Sequence, residues 1–389
     1  KFDFLGLKTL TIVKNAVDLL KIRGVDIDIN SISLSDPKTF KLYAQAKTIA
    51  VFQVESSGMR DALSQLKPTC IEDIIALVAL YRPGPMENIP KFCAVKNGDK
   101  EREHIHPLID DILDETQGII VYQEQVMEIA RKMGGYSLGG ADLLRRAMGK
   151  KIKAAMDAEK PKFLAGSLKN DVNKKTATKV WDLLEKFANY GFNKSHAAAY
   201  AVLSYQTAWL KANYPIEFMA AVMNCDIHLT DKLTMYKQEV ENLGLELSSP
   251  CINKSDAYFS VFEGKIFYAL GALKNVGIGA VEQIVSIRNA NGPFSDIFDF
   301  STRIDLRKIG KRPLEMLVRA GAFDCLNKNR KFLFRSLEQL ISFSSAVFEE
   351  TSSGQSNLFG KAAESVPKPR FEATDDWIST ERLGEEFQA

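Results

Sequence analysis

Residues 195–213, SHAAAYAVLSYQTAWLKAN, carry the clearest long helical pattern in the chain and decide its fold class. Small and apolar residues recur there at helical spacing, and Pro215 follows just past the end, where a helix commonly stops. Upstream, Gly191 breaks an amphipathic stretch at 181–188, and Asn193 or Ser195 suits a helix N-cap. Most of residues 36–240 alternates in this way between amphipathic stretches and glycine or proline. The pattern predicts a mainly α chain.

His196 falls in the first turn of the predicted helix. The positive end of the helix dipole disfavours an imidazolium ion there and favours a neutral, hydrogen-bonding ring. The alanines that follow, 197–199, let another surface approach closely. Taken alone, His196 also fits an ordinary histidine whose hydrogen bonds are satisfied within the fold.

Residues 139–151, GGADLLRRAMGKK, predict a short basic helix between glycines. Arg146 and Lys150 lie four residues apart, where like charges repel, and Lys151 adds to the repulsion. Asp142 can pair with Arg145 or Arg146, but not fully with both. The spare cations suit phosphate oxygens, because arginine forks match them. The alternative is a solvated basic helix end. The spacing is not that of a GxxxxGK[ST] phosphate loop, which the chain lacks.

Two polar residues, Tyr122 and Gln123, follow the apolar run at 119–121. The end of such a run is a common place for a ligand contact. The alternative is a helix capping box without chemistry.

Residues 1–5, KFDFL, predict a strand with Lys1 and Asp3 on one face. A carboxylate beside an ammonium suits a metal-bound triphosphate, but spacing alone favours the alternative, a plain exposed pair on a half-buried strand. Residues 26–28, DID, would put two carboxylates on one face of a strand, as partners for Asp3 at a metal. We prefer the alternative, the polar side of a short strand whose apolar side, Val25, Ile27 and Ile29, is buried.

The later part of the chain predicts smaller modules. Residues 257–270 indicate a β-hairpin with Glu263-Gly264 at the turn. Residues 273–288 hold the apolar-Gly-x-Gly pattern of a helix-hairpin-helix, in which Gly277, Gly279 and Lys274 approach a DNA phosphate. Residues 308–313 suggest a degenerate second copy. Short helices are expected over 271–345 and a flexible linker over 349–378.

Composition narrows the class of protein. Hydrophobic residues make up 46% and charged residues 26%, which excludes collagen-like and wholly disordered chains. Five scattered cysteines without a CxxC pair favour a reducing compartment, and we see no signal segment or membrane-spanning run.

Charge is distributed unevenly along the chain: residues 131–194 hold 15 Lys or Arg against 6 Asp or Glu, whereas residues 349–389 hold 4 Lys or Arg against 9 Asp or Glu. A basic middle with an acidic tail is typical of polyanion binding, although solvated lysine-rich helices would look the same. The first residue, Lys1, indicates a piece of a longer protein.

Five motifs in this order resemble one family, the bacterial DNA polymerase III α subunits, which are the C-family replicative polymerases. The motifs are KFDFLGL at 1–7, YRPGP at 81–85, YQEQVM at 122–127, GGADLLRRAMGKK at 139–151 and YGFNKSH at 190–196. The resemblance covers nearly the whole chain.

The resemblance implies roles for individual residues. Asp3 would be a palm carboxylate that binds Mg²⁺ in a two-ion site, and Lys1 would meet the incoming triphosphate. Arg145 and Arg146 would hold the triphosphate tail. The remaining implied nucleotide contacts are Tyr122, Gln123, Asn193 and His196, and the implied DNA contacts are Lys150, Lys151, Lys274, Gly277 and Gly279. His196 is a candidate sensor of the 2′ position of the sugar.

Residues 355–359, QSNLF, are similar to the peptide with which bacterial polymerases bind the sliding clamp. Gln355 would orient the segment while Leu358 and Phe359 fill an apolar pocket. The alternative is a local collapse of these two side chains onto the rest of the chain.

The resemblance also implies an organisation and partners. We expect the end of the palm at 1–35, the fingers at 36–240, a clamp-binding region with the helix-hairpin-helix at 241–348, and a linker with the clamp peptide at 349–389. The implied activity is that of a DNA-directed DNA polymerase, a nucleotidyltransferase of DNA replication in the bacterial cytoplasm. Its partners would be primer-template DNA, deoxynucleoside triphosphates, the sliding clamp and other replicase subunits.

The family's other two palm carboxylates lie on a DxD strand upstream of the third, and no such strand precedes Lys1. We therefore expect this chain alone to be catalytically incomplete. A non-catalytic module that binds DNA and tethers the clamp is the alternative reading.

Overall fold

The structure, a computed structural model, describes residues 6–149, 153–188, 190–352 and 366–389. It is mainly α, as the sequence predicts. The helices of the first part are α1 (Lys8–Ile22), α2 (Pro37–Ala44), α3 (Ser57–Leu66), α4 (Ile71–Leu80), α5 (Ile89–Lys96), α6 (Pro107–Asp110), α7 (Gln123–Lys132), α8 (Leu138–Gly149), α9 (Lys153–Lys169), α10 (Lys174–Ala188) and α11 (Lys194–Asn213). Those of the second part are α12 (Pro215–Cys225), α13 (Thr230–Asn242), α14 (Ile278–Asn291), α15 (Ile297–Arg303), α16 (Leu306–Ile309), α17 (Lys311–Arg319), α18 (Arg330–Ser352) and α19 (Ser379–Gln388).

The chain divides into two compact units. The central unit is Asp28–Tyr214, and the terminal unit combines Lys1–Ile27 with Pro215–Ala389. The domain bounds inferred from the sequence resemblance stay predictions.

Helix α11 organises the central unit by packing against α2 and α4. Its inner face includes Ala197 and Ala201, both fully buried, whose small side chains let neighbouring backbone come close. The buried Tyr205 ties the helix to the segment before α2, because its hydroxyl donates to the Ser33 carbonyl over 2.9 Å and accepts from the Asp36 amide over 2.8 Å. The helix predicted from residues 195–213 is thus present and begins one residue earlier.

The terminal unit contains a small sheet of three strands, β1 (Leu247–Ser248), β2 (Ser260–Phe262) and β3 (Lys265–Phe267), in the order β1-β3-β2. Strands β2 and β3 pair antiparallel, with Ser260 opposite Phe267. Glu263 and Gly264 form the turn with φ values of 51° and 73°, as hairpin turns of two residues require. The predicted hairpin is confirmed. The sequence analysis missed β1, which joins β3 in parallel and is only two residues long.

The short strand predicted at 26–28 is wrong. This segment is irregular, with Val25, Ile27 and Ile29 half-buried and Asp26 and Asp28 exposed. Gly24 ends α1 with a φ of 84°, which turns the chain away from the helix axis. The Asp28 carboxylate then accepts the Asn30 amide over 3.0 Å, a local turn that replaces strand pairing.

Two further expectations for the terminal unit need correction. Residues 271–345 are not all short helices, because α18 runs for 23 residues from Arg330. Its inner side packs on α15, α16 and α17, and this tertiary support sustains a length that the sequence pattern did not reveal. The described parts of the linker expected at 349–378 are ordered: residues 349–352 belong to α18, and residues 366–378, which form no helix or strand, pack through aromatic side chains. Phe371 stacks on Phe298 at a centroid distance of 5.7 Å, and Trp377 lies 5.7 Å from Phe334.

None of the helices in the described ranges combines the length and apolar character needed to cross a lipid bilayer.

Candidate nucleotide-binding and DNA-binding sites

Helix α8 carries a cluster of two arginines around one acid, which we call the arginine cluster: Arg145, Arg146 and Asp142. One oxygen of Asp142 accepts the Nε and Nη2 of Arg145 over 3.0 and 2.7 Å. Its other oxygen lies 2.8 Å from Nη2 of Arg146. The acid is thus shared between both arginines, one oxygen each.

The charges of this cluster do not balance. The hydrogen bond from Arg145, aided by the charge of Arg146, holds the pKa of Asp142 below its usual value, so Asp142 is ionised at neutral pH. One carboxylate faces two guanidinium groups and leaves one positive charge in excess. Arg146 is 63% exposed and Arg145 28% exposed, so Arg146 is the freer of the two to meet an anion in solution.

Gln123 at the start of α7 connects the arginine cluster to the loop before α11. Its side-chain oxygen accepts Nη1 of Arg145 over 3.0 Å, and its side-chain nitrogen donates to the Gly191 carbonyl over 3.1 Å. Its backbone amide donates to the Phe192 carbonyl over 2.9 Å. A Cβ at position 191 would lie 3.2 Å from the Gln123 side chain, which explains why glycine suits this position.

Tyr122 bridges in parallel with Phe192, and this pairing holds α7 and the start of α11 together. The Tyr122 ring is buried, at 2% exposure, and burial raises the pKa of its hydroxyl. Its side chain therefore belongs to the core that supports Gln123. The expected nucleotide contact of Tyr122 stays a prediction, and it would have to act through the residues around it.

The capping expected before α11 is made by Asn193, whose side-chain oxygen accepts the His196 amide over 2.8 Å. The carboxylate of Glu124 accepts both Nδ2 of Asn193, over 2.9 Å, and the Lys194 amide, over 3.0 Å. The chain thus supplies its own anion at this N-terminus, which would compete with a phosphate there. The sequence analysis missed Glu124, although an acid among the polar residues of 122–125 was a visible signal.

His196 is exposed and sits in a line of aromatic side chains that we call the ring row: Phe52, Tyr200, His196 and Phe192. The His196 ring lies 4.3 Å from that of Tyr200 and 5.5 Å from that of Phe192, between centroids. Tyr200 in turn lies 5.4 Å from Phe52. The guanidinium of Arg82 covers the Phe192 ring at 4.3 Å. The row is partly exposed and offers flat rings beside a cation, a combination that suits a base or sugar.

Several predicted site residues lie outside the described residues. They are Lys1 and Asp3 at the start, Lys150 and Lys151 after α8, and the clamp peptide residues Gln355, Leu358 and Phe359. Within the described ranges, no three His, Cys, Asp or Glu side chains converge on a point that could hold a metal ion.

The predicted helix-hairpin-helix lies in the terminal unit. Gly277 is the N-cap of α14, and a short 3₁₀ turn, Leu270–Ala272, stands where a preceding helix was expected. Lys274, Gly277 and Gly279 are exposed, and a Cβ added at either glycine would meet nothing within 4 Å. The start of α14 is therefore open to an approaching backbone. A second helix–glycine–helix occurs at Gly310, between α16 and α17, where the sequence suggests a degenerate copy.

Two parts of the chain match known protein families. Residues 9–171 match the family described as the bacterial DNA polymerase III alpha subunit finger domain, and residues 244–333 match the helix-hairpin-helix motif. The fold and the matches therefore define a polymerase fingers domain followed by a helix-hairpin-helix module.

Relatives extend the match to the whole chain. The DNA polymerase III subunit alpha of Caulobacter vibrioides is 49% identical over all 389 residues, which cover 34% of that protein. Those of Pasteurella multocida and Borreliella burgdorferi are each 47% identical over 94% and 92% of this chain, and 33% and 31% of their own length. The chain belongs to the family of bacterial DNA polymerase III α subunits. It spans about a third of the length of the curated relatives it matches.

Proposed function

We propose that this chain supplies the fingers of a replicative DNA polymerase and that its arginine cluster binds the triphosphate of the incoming deoxynucleotide. In the complete subunit, the primer 3′-hydroxyl would attack the α-phosphate, a new phosphodiester bond would form, and pyrophosphate would leave. The observation that carries this proposal is the hydrogen bond from Arg145 to Gln123, which links the phosphate-binding candidates on α8 to the ring row through one side chain.

The charge of the arginine cluster supports a phosphate ligand. A triphosphate oxygen can replace Asp142 as the acceptor of either arginine without leaving a buried charge, because Asp142 stays partly exposed at 30%. Arg145 is also held by Gln123, so it keeps its position when the acid is displaced. Within the described ranges, Asp142 is the acid that pairs with Arg146, and the exposed Arg146 side chain can follow the phosphate.

The ring row supports a place for the sugar and base. His196 presents an exposed ring held by two neighbours, at the end of the loop that Gln123 fixes. We propose that this ring lies against the 2′ position of the sugar and excludes a ribose hydroxyl. Asn193 would act by fixing the first turn of α11, since its side chain is used in capping.

The described residues do not by themselves fit a two-ion Mg²⁺ site, because they bring cations to α8 and no cluster of carboxylates. Ligation by Asp3 stays a proposal, and the reaction needs further carboxylates around both ions. We therefore propose that this chain alone binds substrates weakly and extends no primer.

The terminal unit supports a second contact, with DNA. Backbone amides at the start of α14, together with exposed Lys274, form a surface that a DNA phosphate can reach because Gly277 and Gly279 add no side chain. Such contact would be independent of sequence and weakened by salt. This open surface also favours the alternative, a non-catalytic DNA-binding module that tethers the clamp. The clamp contact, the other replicase subunits and a cytoplasmic location stay predictions.

Binding measurements on the full chain test these proposals separately. A fluorescent deoxynucleoside triphosphate and a labelled primer-template would be titrated at low salt against the wild-type chain, Arg145→Lys and Gly277→Asp. We expect Arg145→Lys to weaken only triphosphate binding, because lysine keeps the charge but loses the fork, and Gly277→Asp to weaken only DNA binding. Triphosphate binding that is insensitive to Arg145→Lys would refute the first proposal. Primer extension by the isolated chain would contradict the expected catalytic incompleteness.

A further inference from the structure

Asp142 lies between the two arginines of the arginine cluster and meets each of them with a different oxygen. One oxygen lies 3.0 and 2.7 Å from the Nε and Nη2 of Arg145, and the other lies 2.8 Å from the Nη2 of Arg146. The groups proposed to hold a triphosphate therefore have an anion of this chain as their partner. A phosphate that binds them has to compete with this carboxylate.

Helix α8 keeps the acid beside the arginines. Asp142 precedes them by three and four residues, the spacings at which side chains on a helix are neighbours. Ala141, Leu144 and Met148 are buried along the inner face of α8 and hold the helix on the core. Because the acid and its partners share one anchored helix, the carboxylate stays within reach of both guanidinium groups when a phosphate displaces it. It competes as a tethered ligand does, at a high effective concentration.

The carboxylate is also free to move away from the arginines. The Asp142 side chain is 30% exposed, so water can solvate it when a phosphate takes its place. The side-chain oxygen of Gln123 accepts Nη1 of Arg145 over 3.0 Å, so this arginine keeps a neutral partner while the acid moves. Displacement of Asp142 thus leaves Arg145 in position and leaves no buried charge without a partner.

Asp142 opposes phosphate binding in proportion to the charge of the ligand. Its single negative charge repels a phosphate group, and the repulsion grows with the ligand's charge, from orthophosphate through pyrophosphate to a triphosphate. The repulsion and the competition for the arginines act in the same direction. The carboxylate therefore lowers the affinity of the cluster for the substrate and for the pyrophosphate product.

We propose that Asp142 is an internal competitor for the arginine cluster, which weakens phosphate binding and takes back both arginines when pyrophosphate leaves. The inference rests on the proposed function of the cluster and adds the regulation of ligand release. Asp142 touches no phosphate in this role and acts only through Arg145 and Arg146. If Asp142 served only to position the arginines, its removal would weaken phosphate binding, which is the opposite sign.

Displacement titrations on the full chain test this sign. A fluorescent deoxynucleoside triphosphate would be bound at low salt, followed by anisotropy, and displaced with inorganic tripolyphosphate, pyrophosphate or orthophosphate. We expect Asp142→Asn to bind the triphosphate about tenfold more tightly, because one repelling charge is lost. The gain should be smaller for pyrophosphate and within about twofold for orthophosphate, because the repulsion scales with ligand charge. In the complete subunit, Asp142→Asn should also make primer extension more sensitive to inhibition by added pyrophosphate.

Three further variants separate charge from structure. Asp142→Ala removes the acid and favours the helix, so the same gain is expected even if asparagine disturbs α8. Asp142→Glu keeps the charge and should bind the triphosphate as the wild-type chain does. Asp61→Asn is the matched control, because it removes the same charge from an exposed position on α3, which packs on α2 and α5. It should leave the affinity unchanged.

The results distinguish a failure of this inference from a failure of the proposed function. If Arg145→Lys weakens triphosphate binding but Asp142→Asn and Asp142→Ala leave it unchanged or weaker, the competitor role is wrong and the triphosphate site stands. If Arg145→Lys has no effect either, the proposed function fails and the competitor role fails with it. An equal gain in Asp61→Asn would trace the effect to net charge, and an equal gain in Asp142→Glu would trace it to the structure of α8. Either result would overturn the inference.

Discussion

Gln123 offers the sharpest test of how the arginine cluster is positioned, because its side chain is the only described hydrogen-bond partner that Arg145 has besides Asp142. Replacing Gln123 by leucine removes the acceptor of Arg145 and the donor to the Gly191 carbonyl while keeping a similar volume. The backbone bond from position 123 to Phe192 is unaffected by the side chain. The substitution therefore releases Arg145 without opening the pairing that holds α7 and α11 together.

The size of the effect follows from the exposure of Arg145. A hydrogen bond that involves a charged group contributes roughly 1.5–3 kcal/mol net when it is buried. Arg145 is 28% exposed, so we reduce this to about 1 kcal/mol. Since 1.4 kcal/mol corresponds to a tenfold change, Gln123→Leu should weaken triphosphate binding about fivefold. Its effect on the free energy of unfolding should not exceed about 1 kcal/mol.

Gln123→Glu provides a second, opposite probe at the same position. A glutamate can still accept the Arg145 hydrogen bond, but it adds a negative charge beside the triphosphate and cannot donate to the Gly191 carbonyl. We expect triphosphate binding to fall about tenfold or more, although Arg145 keeps its partner. If the Gln123 side chain only filled space, the order of the two losses in affinity would be reversed, and Gln123→Leu would weaken triphosphate binding more than Gln123→Glu.

The assay is a titration of the full chain with a fluorescent deoxynucleoside triphosphate, followed by anisotropy, with urea unfolding of each variant in parallel. Lys160→Ala is the matched control, since it removes an exposed cation of the central unit that pairs with Asp182. It should leave the affinity within twofold. Unchanged affinity in Gln123→Leu, or equal losses in Gln123→Leu and Lys160→Ala, would refute the positioning role of Gln123.

Four further outcomes are expected. Gln125→Leu should lower the free energy of unfolding by about 3 kcal/mol, measured with urea, because the buried amide makes four hydrogen bonds to the segments before α7. His196→Ala in the complete subunit should raise incorporation of ribonucleotides relative to deoxynucleotides, measured by primer extension. Gly277→Asp should stabilise the terminal unit slightly through N-capping while weakening DNA binding and lowering its salt dependence. Burial tends to raise the pKa of Asp226, but hydrogen bonds from Lys8 and Tyr236 lower it overall, so stability from this group is present above the usual carboxyl pKa and lost as pH falls. Asp226→Asn should therefore destabilise the chain at pH 7 and flatten its acid unfolding curve.

Each of these four predictions has a result that would contradict it, and the first also has a control variant. Gln206→Leu removes one longer hydrogen bond, of 3.3 Å to Ile29, and should cost less than about 1 kcal/mol. Equal costs at positions 125 and 206 would count against the buried network. Unchanged sugar discrimination in His196→Ala ends the idea of 2′ sensing. A Gly277→Asp chain that binds DNA normally removes the phosphate contact at α14. An acid unfolding curve that Asp226→Asn leaves unaltered shows that other carboxylates dominate.

Local sequence was enough to predict the features that depend on near neighbours. The helix from Lys194 to Asn213, its cap at Asn193, the basic helix at 139–149 and the hairpin turn at Glu263 all follow from contacts within a few residues. The family followed from the order of five short motifs, which needs no knowledge of distances. The strand at 26–28 was mispredicted because alternation of polar and apolar residues requires a partner strand to become a strand.

Only the tertiary structure decided which side chains meet. Arg145 contacts Gln123 across 22 positions, and Glu124 reaches Lys194 across 70. Such pairings depend on how the helices pack. The sequence of one segment does not show which distant segment it will contact. Sequence alone thus indicated most of the helices and the kinds of side chain available for chemistry, whereas packing determined which side chains meet and therefore the charge and hydrogen bonding around each group.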